Sequence, residues 1–237
     1  MPPVRSVIPR APIAPLLHES LGERVYRTVR DLILSQVFLP GSKLNVEQIC
    51  RDLGVSRTPV WDTMRRLESE GLVNTVPRHG VFVLNYGVDQ IRDLFAVRGA
   101  LEALAVRQAA RSLAGSPDGD ARAGLEATMK DMERAAAAGE MEQYSRSAID
   151  FHDRVLGAAR NQVLSRLLEN VYAQILVLRL RSLYLPERAE SSVAEHRDLF
   201  EAVVAGDAER GERLARAHAD HVLQDALEFT RRAEQDR

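Results

Sequence analysis

Residues 41–83, GSKLNVEQICRDLGVSRTPVWDTMRRLESEGLVNTVPRHGVFV, decide the fold, because their pattern predicts a complete winged helix-turn-helix. Val46, Ile49 and Leu53 recur at helical spacing, so they lie on one face of a short helix. Gly54 can adopt the positive φ that ends such a helix sharply. Two short helices joined by a turn that contains glycine form a helix-turn-helix.

The second helix of the motif is predicted to begin at Ser56, a residue type that caps helix N-termini well. Pro59 suits the first turn, because its missing N–H is not needed there. Val60, Met64 and Leu67 continue an apolar stripe of helical period. In a helix-turn-helix this second helix lies in the major groove with its N-terminal residues toward the base edges. The pattern therefore predicts DNA binding.

The residues expected to contact DNA lie on this helix and on the hairpin that follows it. Cationic side chains further along the helix could reach phosphates without reading sequence. The β-prone segments 72–75 and 80–84 flank a tight turn whose tip could touch sugar-phosphate or enter a minor groove. The predicted DNA contacts are Ser56, Arg57, Thr58, Trp61, Arg65, Arg66, Arg78, His79 and Gly80. A purely structural subdomain is the alternative, but cap, turn, stripe and basic hairpin tip all agree with DNA binding.

The net charge of −2 is divided unevenly along the chain. Residues 1–86 carry 11 Lys and Arg against 8 Asp and Glu, whereas residues 87–237 carry 21 against 26. The excess of cations thus falls on the segment predicted to bind phosphates. The single cysteine, Cys50, excludes a disulfide framework, and no stretch has the length of a membrane span or the apolar core of a signal peptide. We therefore expect a cytoplasmic protein with no membrane partner.

The chain of 237 residues is long enough for two domains. We expect a disordered arm over residues 1–17, the winged helix-turn-helix over 18–84, a linker over 85–87 and an all-helical domain over 88–234. From residue 88 onward, the composition shifts to Ala, Leu, Arg and Glu. Helices are predicted over 88–113, 120–138, 141–159, 162–184, 189–205 and 208–233. The expected fold is mainly α, with a winged helix-turn-helix followed by an all-helical bundle.

These motifs carry a resemblance to a known family. LGVSRTPV at 53–60, RLESEGLV at 66–73 and RHGVFV at 78–83 resemble the GntR family of bacterial transcription regulators. The helical part is similar to the FadR-type subgroup, whose C-terminal effector-binding domain is called FCD, through Arg98 followed by Glu102, FH…N at 151–161 and EH…GD…H over 195–218. The resemblance implies a homodimeric, ligand-responsive regulator, commonly a repressor, that binds an operator in double-stranded DNA.

Three histidines are the candidate metal ligands. His152, His196 and His218 fall on different predicted helices and can converge in an antiparallel bundle. Imidazole suits a divalent transition metal, here Zn, Ni, Fe or Mn, with one ion expected per chain. FCD domains that bind metal usually have a carboxylate four residues before the first histidine, but Ala148 stands there, and Asp150 lies about 200° around the helix from His152. The alternative is a metal-free pocket whose histidines hydrogen-bond to the ligand.

The effector is expected to be a small carboxylate metabolite. The guanidinium of Arg98 can bind a carboxylate through two parallel hydrogen bonds, although a simple salt bridge to Glu102 is the alternative. The candidate effector-binding residues are Arg98, Glu102, Tyr144, Asn161, Gln174 and Arg179.

The second helix of the motif departs from the family at Trp61-Asp62, where Arg-Glu is common. The resemblance therefore implies the loss of a guanine-type bidentate contact. Trp61 could pack on a thymine methyl group or a sugar, or fold back on Met64 and Arg65. Arg57 stays the best candidate for a base contact.

Three classes of function compete. The first is a ligand-responsive transcription regulator. The second is a metal-dependent enzyme using the three histidines, against which the chain lacks a nucleophile–base pair, a phosphate loop and HExxH spacing. The third is an architectural DNA-binding protein that ignores effectors, which the polar residues of the helical part argue against. The first is favoured, and the chain is not expected to be an enzyme.

Overall fold

The computed structural model describes residues 20–114, 119–178 and 186–235, which form helices and one small sheet. The elements in chain order are α1 (Leu21–Leu34), β1 (Lys43–Leu44), α2 (Val46–Leu53), α3 (Arg57–Ser69), β2 (Val73–Val76), β3 (Gly80–Val83), α4 (Val88–Ala114), α5 (Gly119–Ala137), α6 (Met141–Ala159), α7 (Gln162–Leu178), α8 (Pro186–Ala205) and α9 (Ala208–Gln235). The predicted mainly α fold, a winged helix-turn-helix followed by an all-helical bundle, is confirmed. The expected arm over residues 1–17 and the candidate Arg179 lie outside the described residues.

The helix-turn-helix consists of α2 and α3, which meet at the predicted turn. Gly54 ends α2 in the left-handed region, with φ 63°. Ser56 holds the predicted N-cap position of α3 in extended conformation, and its side chain makes no capping hydrogen bond. The wing is the antiparallel hairpin of β2 and β3, whose turn contains Arg78 with φ 66°.

Two elements of this unit were not predicted. Helix α1 begins after Ser20, whose side chain accepts a hydrogen bond from the Glu23 N–H at 3.2 Å. Its apolar residues Val25, Val29 and Ile33 recur at helical spacing and are buried in the core of the winged helix. Strand β1 pairs antiparallel with β3, so β3 is the central strand of the sheet.

The helical bundle is built around the long helices α4 and α9, which make the most extensive pairwise contact of the described helices. Close packing between them is possible because Gly99 lacks a side chain: a Cβ there would lie 3.3 Å from the Ala219 Cβ. The largest fully buried side chains of the bundle core are Phe151, Leu125, Met132, Leu168 and Leu199.

Helix α7 contributes buried residues both to the bundle and to the core of the winged helix. Leu164 and Leu168 are buried in the core of the bundle, whereas Ala173 and Val177 are buried in the core of the winged helix. In addition, the Gln36 side-chain amide donates a hydrogen bond to the Val177 carbonyl at 3.2 Å. The C-terminal half of α7 therefore joins the bundle to the winged helix.

Candidate functional site

The predicted DNA-binding surface is the outward face of α3 together with the tip of the wing. Ser56, Arg57 and Thr58 are exposed at the start of α3, and Trp61 is 38% exposed one turn later. Arg78 and His79 are exposed in the turn of the wing. These positions agree with a helix that presents its N-terminal residues to base edges and a hairpin that follows the backbone.

The cations of α3 each have an acidic neighbour within the winged helix. The Arg57 guanidinium lies 2.7 Å from the Glu47 carboxylate, and that of Arg65 lies 3.2 Å from Asp62. All four side chains are more than half exposed. Because exposed ion pairs contribute little to stability, both arginines can exchange these partners for phosphates or bases at small cost.

Arg66 differs from its predicted role as a phosphate contact. Its guanidinium stacks on the Tyr26 ring at 3.4 Å and binds Glu23 of α1 at 2.7 Å. It also lies 3.3 Å from Glu70 at the end of α3. Arg66 therefore holds α1 against α3, and we do not expect it to bind DNA.

Sequence reasoning missed a cation beside the wing. Lys43 of β1 is exposed, and its Cε would lie 2.9 Å from a Cβ added to Gly80. Gly80, predicted as a DNA contact, thus makes room for the Lys43 side chain at φ 111°. The pairing of β1 with β3 places this lysine at the wing, a pairing that the two-residue strand did not signal.

A cavity of about 540 Å³ lies between the winged helix and the bundle. Side chains of α1, α4, α6, α7, α8 and α9 line it. Its polar and charged lining residues are Arg30, Arg98, Tyr144, Ser145, His152, Asp153, Glu169, Tyr172, Arg188, Ser192, His196 and His218. Its volume falls in the range of small-molecule sites.

The three candidate histidines converge on this cavity. His152, His196 and His218 each offer a nitrogen atom, and these atoms lie within 4.8 Å of one another. The Nε2 atoms of His152 and His196 are 3.2 Å apart. Two nitrogens that each lie about 2.0–2.1 Å from a single ion would have a separation of this size. The donor set therefore fits a divalent transition metal.

Acceptors behind the histidines fix which ring nitrogen faces the cluster. His196 Nδ1 lies 2.7 Å from the Ser192 carbonyl, which only accepts hydrogen bonds, so Nδ1 carries the proton and Nε2 presents a lone pair. His218 Nδ1 donates in the same way to the Glu195 carboxylate at 2.7 Å. His152 Nδ1 lies 3.7 Å from Glu102. Such partners orient metal-binding imidazoles and raise their basicity.

Burial also sets the charge of this cluster. It lowers the pKa of His152 to about 4 and that of His196 well below its usual value, so both rings are neutral at neutral pH. Burial raises the pKa of Glu102, but the Arg98 guanidinium and the nearby histidines outweigh it and hold the pKa at about 2. For Glu195, the hydrogen bond from His218 and the Arg188 guanidinium likewise outweigh burial, and its pKa is about 2. The site therefore combines the neutral rings of His152 and His196 with ionised carboxylates behind the cluster.

Arg98 lines the cavity and is held by Glu102. The Arg98 Nε lies 2.9 Å from Glu102 Oε1, which also accepts a hydrogen bond from the Tyr172 hydroxyl at 2.7 Å. The side chains of Arg98 and Glu102 are only 7% and 3% exposed. Within the described part of the chain, the two terminal nitrogens of Arg98 have no hydrogen-bond acceptor. Glu102 does not line the cavity, so it positions Arg98 rather than contacting a ligand as predicted.

The other effector candidates divide into two groups. Tyr144 is buried and lines the cavity, as expected. Asn161 lies outside the lining: its side chain accepts from the Leu164 N–H at 3.1 Å and caps α7. Gln174 also lies outside, because it faces the winged helix and donates to the Glu70 carbonyl at 2.9 Å. Neither residue lines the cavity, so the contact of Asn161 and Gln174 with an effector stays a prediction that the cavity does not support.

The sequence neighbours of the histidines do not add a fourth ligand to the cluster. Ala148 lines the cavity, and it stands at the position where the resemblance to metal-binding FCD domains implies a carboxylate. Asp150 instead accepts hydrogen bonds from Thr128 at 2.7 Å and Arg154 at 2.8 Å. His221 is 61% exposed and binds Glu195 at 2.9 Å. Open positions on a bound ion would therefore be left to water or to an anionic ligand.

No helix in the ranges 20–114, 119–178 and 186–235 combines the length and the apolar character that crossing a bilayer requires.

Comparisons with known protein families match both parts of the chain. The FCD domain family matches residues 93–221, which is more than half of the chain. The family described as bacterial regulatory proteins, gntR family, matches residues 21–83.

Individual relatives show the same arrangement over most of their length. The chain is 29% identical to the HTH-type transcriptional regulator YdhC of Bacillus subtilis over 83% of this chain and 86% of that protein. It is 25% identical to the HTH-type transcriptional repressor RspR of Escherichia coli over 92% of each. Among solved structures, E. coli McbR/YncC has a TM-score of 0.72 at 21% identity, covering 89% of this chain and 99% of that chain, which is a likeness of fold.

Proposed function

The chain belongs to the gntR family of bacterial regulatory proteins that carry an FCD domain, and on that basis we propose that it is a homodimeric repressor which releases its operator when a small carboxylate fills the cavity. One observation carries the proposal: Arg98 and the three-histidine cluster line the same cavity, directly behind a winged helix. The name of the relative RspR, a transcriptional repressor, supports the sign of regulation.

DNA recognition falls to the start of α3 and to the wing. Arg57 and Thr58 are exposed at the end of α3 that enters a major groove, with Arg57 suited to a guanine and Thr58 to the backbone. Arg78 and His79 would follow the sugar-phosphate from the wing, joined by Lys43. Two copies related by two-fold symmetry would place their α3 helices on half-sites one helical turn apart.

The cavity is the proposed binding site for the effector. His152, His196 and His218 would hold one divalent transition metal ion, which supplies positive charge and open coordination positions for a carboxylate. Arg98 lines the same cavity, and Glu102, which also accepts a hydrogen bond from Tyr172, holds its side chain in place. Tyr144 adds a hydroxyl to the wall. A small anion therefore meets both a guanidinium and a cationic centre.

Release of DNA requires that the ligand bind two arrangements of the protein with different affinity. By linkage, operator DNA then changes the affinity for ligand by the same factor. The full-length protein is titrated onto a fluorescent operator fragment selected from genomic DNA, with and without the compound extracted from its cavity and identified by mass spectrometry. The proposal expects the compound to weaken binding for the wild type and to have no effect for Arg98→Gln.

The control variant Arg57→Gln separates the two functions. It should lose operator binding and keep the affinity for the compound, because Arg57 lies on α3 and does not line the cavity. Operator binding that ignores every cavity compound would contradict ligand control. Turnover of the compound without DNA would point to an enzyme instead.

A further inference from the structure

The wall of the cavity includes a part of the DNA-binding unit. Arg30 and Leu34 line it from α1, one turn apart on the same helix. The remaining lining residues come from α4 and α6–α9. A ligand that reaches this side of the cavity therefore contacts the winged helix as well as the bundle.

The charge of Arg30 is weakly paired. Its nearest carboxylate oxygen is Glu70 Oε2, 3.9 Å from Nε, which is beyond hydrogen-bond distance. Glu70 already accepts a hydrogen bond from the Tyr26 hydroxyl at 2.7 Å and faces Arg66 Nε at 3.3 Å. The Arg30 side chain is 30% exposed, so the residue is partly buried at this wall. It is thus a cation at the cavity with no strong partner in the described residues.

The other charged lining residues are either paired or solvated. Arg188 binds the carboxylates of Glu195 and Asp225. Asp153 and Glu169 line the cavity as well, but both residues are exposed, so water screens their charges. Arg98 and Arg30 are the guanidinium groups left to bind an anion.

We propose that Arg30 is a ligand-binding residue, contributed by the DNA-binding unit, which takes a second acidic group of a ligand whose first carboxylate is held at Arg98 and the histidines. This inference rests on the proposed function and adds the class of ligand: a small diacid. A guanidinium recognises a carboxylate with two parallel hydrogen bonds, which an uncharged end of the ligand cannot accept as strongly. Arg30 therefore selects for the second acid.

Arg30 also lies close to the contact between the winged helix and α7 of the bundle, so ligand binding at Arg30 can affect this contact. Glu70 is the shared partner at this joint, because its side chain faces Arg30 and its carbonyl accepts a hydrogen bond from Gln174 of α7 at 2.9 Å. The Gln174 side chain also accepts from the Tyr86 hydroxyl at 2.7 Å and fills the space beside Gly71. A diacid that draws Arg30 away from Glu70 acts where α1, α3 and α7 meet.

The experiment compares ligands that differ only at the far end. Butyrate, succinate and 4-aminobutyrate share a four-carbon chain and end in a methyl, a carboxylate and an ammonium group; hexanoate, adipate and 6-aminohexanoate repeat the series at six carbons. Each is titrated calorimetrically into the metal-loaded full-length protein. The wild type should bind the diacid of at least one length roughly tenfold or more tighter than the matching monoacid, as expected for one charge-assisted contact.

The variant Arg30→Gln should bind the diacid and the matching monoacid with similar affinity, because only the affinity for the diacid falls. Arg30→Lys should restore part of the preference for the diacid. Arg24→Gln, the same change at an exposed position of α1 outside the cavity wall, should keep the wild-type preference. Matched melting temperatures exclude misfolding of the variants.

Three results overturn the inference. The first is a diacid preference that persists in Arg30→Gln. The second is tighter binding of the amino acid than of the diacid. Neither of these two results contradicts the proposed function if the monoacids bind. The third is a wild type that binds none of the acids. That outcome refutes the carboxylate effector as well, while operator binding remains as its own measurement.

Discussion

The buried ion pair of Arg98 and Glu102 allows a quantitative test of how the cavity is held together. The pKa of Glu102 is lowered from 4.5 to about 2, chiefly because Arg98 outweighs the cost of burial. A shift of this size corresponds to roughly 3 kcal/mol of folding free energy at neutral pH. Glu102→Gln removes that contribution and leaves the Arg98 guanidinium buried without its counter-charge. We therefore expect the variant to lose about 3 kcal/mol of stability.

The assay is urea unfolding of the metal-free protein at neutral pH, followed by circular dichroism. Glu126→Gln is the matched control, because Glu126 forms an ion pair with Lys130 at the same four-residue spacing but on the surface, where both side chains are at least half exposed. The control should unfold with the wild type. If Glu102→Gln is no less stable than Glu126→Gln, then the pair does not hold the cavity wall as inferred.

The same variant reports on the ligand. An unpaired Arg98 guanidinium should attract an anion more strongly than the paired one, so succinate is expected to raise the unfolding midpoint of Glu102→Gln more than that of the wild type. An equal or smaller increase would indicate that Arg98 does not meet the bound anion.

Three further outcomes follow from the site. Glu195→Ala removes the acceptor of His218 Nδ1, so zinc affinity measured by competition with a chelator should fall roughly 10–100-fold, and wild-type affinity in the variant would refute the orienting role. The pKa of His152 is lowered by burial from 6.5 to about 4, so this residue alone should cost the metal-free protein roughly 3 kcal/mol as the pH falls from 6.5 to 4, because the unfolded chain binds the proton first. His152→Gln should make this slope shallower in a series of urea midpoints, and His196, whose pKa is also lowered by burial, should account for part of the slope that is left. Arg57→Ala should weaken operator binding by about 1–3 kcal/mol and relax one base position in a binding selection, whereas a uniform loss on all sequences would assign Arg57 to a phosphate.

Local sequence signals were sufficient for much of the fold. The positive φ of Gly54 and the β-prone segments around residues 77–80 depend on neighbours in the chain, so pattern alone located the helix-turn-helix and the wing. Helix α1 carried similar signals that were overlooked, namely Ser20 followed by Glu23, and Val29 followed by Ile33 on one face. Because α1 was not predicted, Arg30 was not identified as a residue that lines the cavity.

The contacts between elements could not be derived in the same way. Spacing places Gln174 on a helix but does not state that this part of α7 packs against the winged helix rather than the cavity. Arg66 was expected to reach DNA because α3 does, yet Tyr26 and Glu23 of α1 bind it instead. The convergence of the three histidines was easier to predict, because polar residues on the inner faces of separate helices in one bundle tend to share a common site.

The most direct measurement of the central claim is fluorescence anisotropy of the full-length protein on fragments that it enriches from genomic DNA, compared with random duplex at moderate ionic strength. We expect at least one fragment to bind roughly 10³-fold or more tightly than random duplex, and the compound recovered from the cavity to change that affinity. Equal binding to all duplexes, whatever small acids and metal ions are added, would contradict the assignment of α3 to an operator and of the cavity to its control.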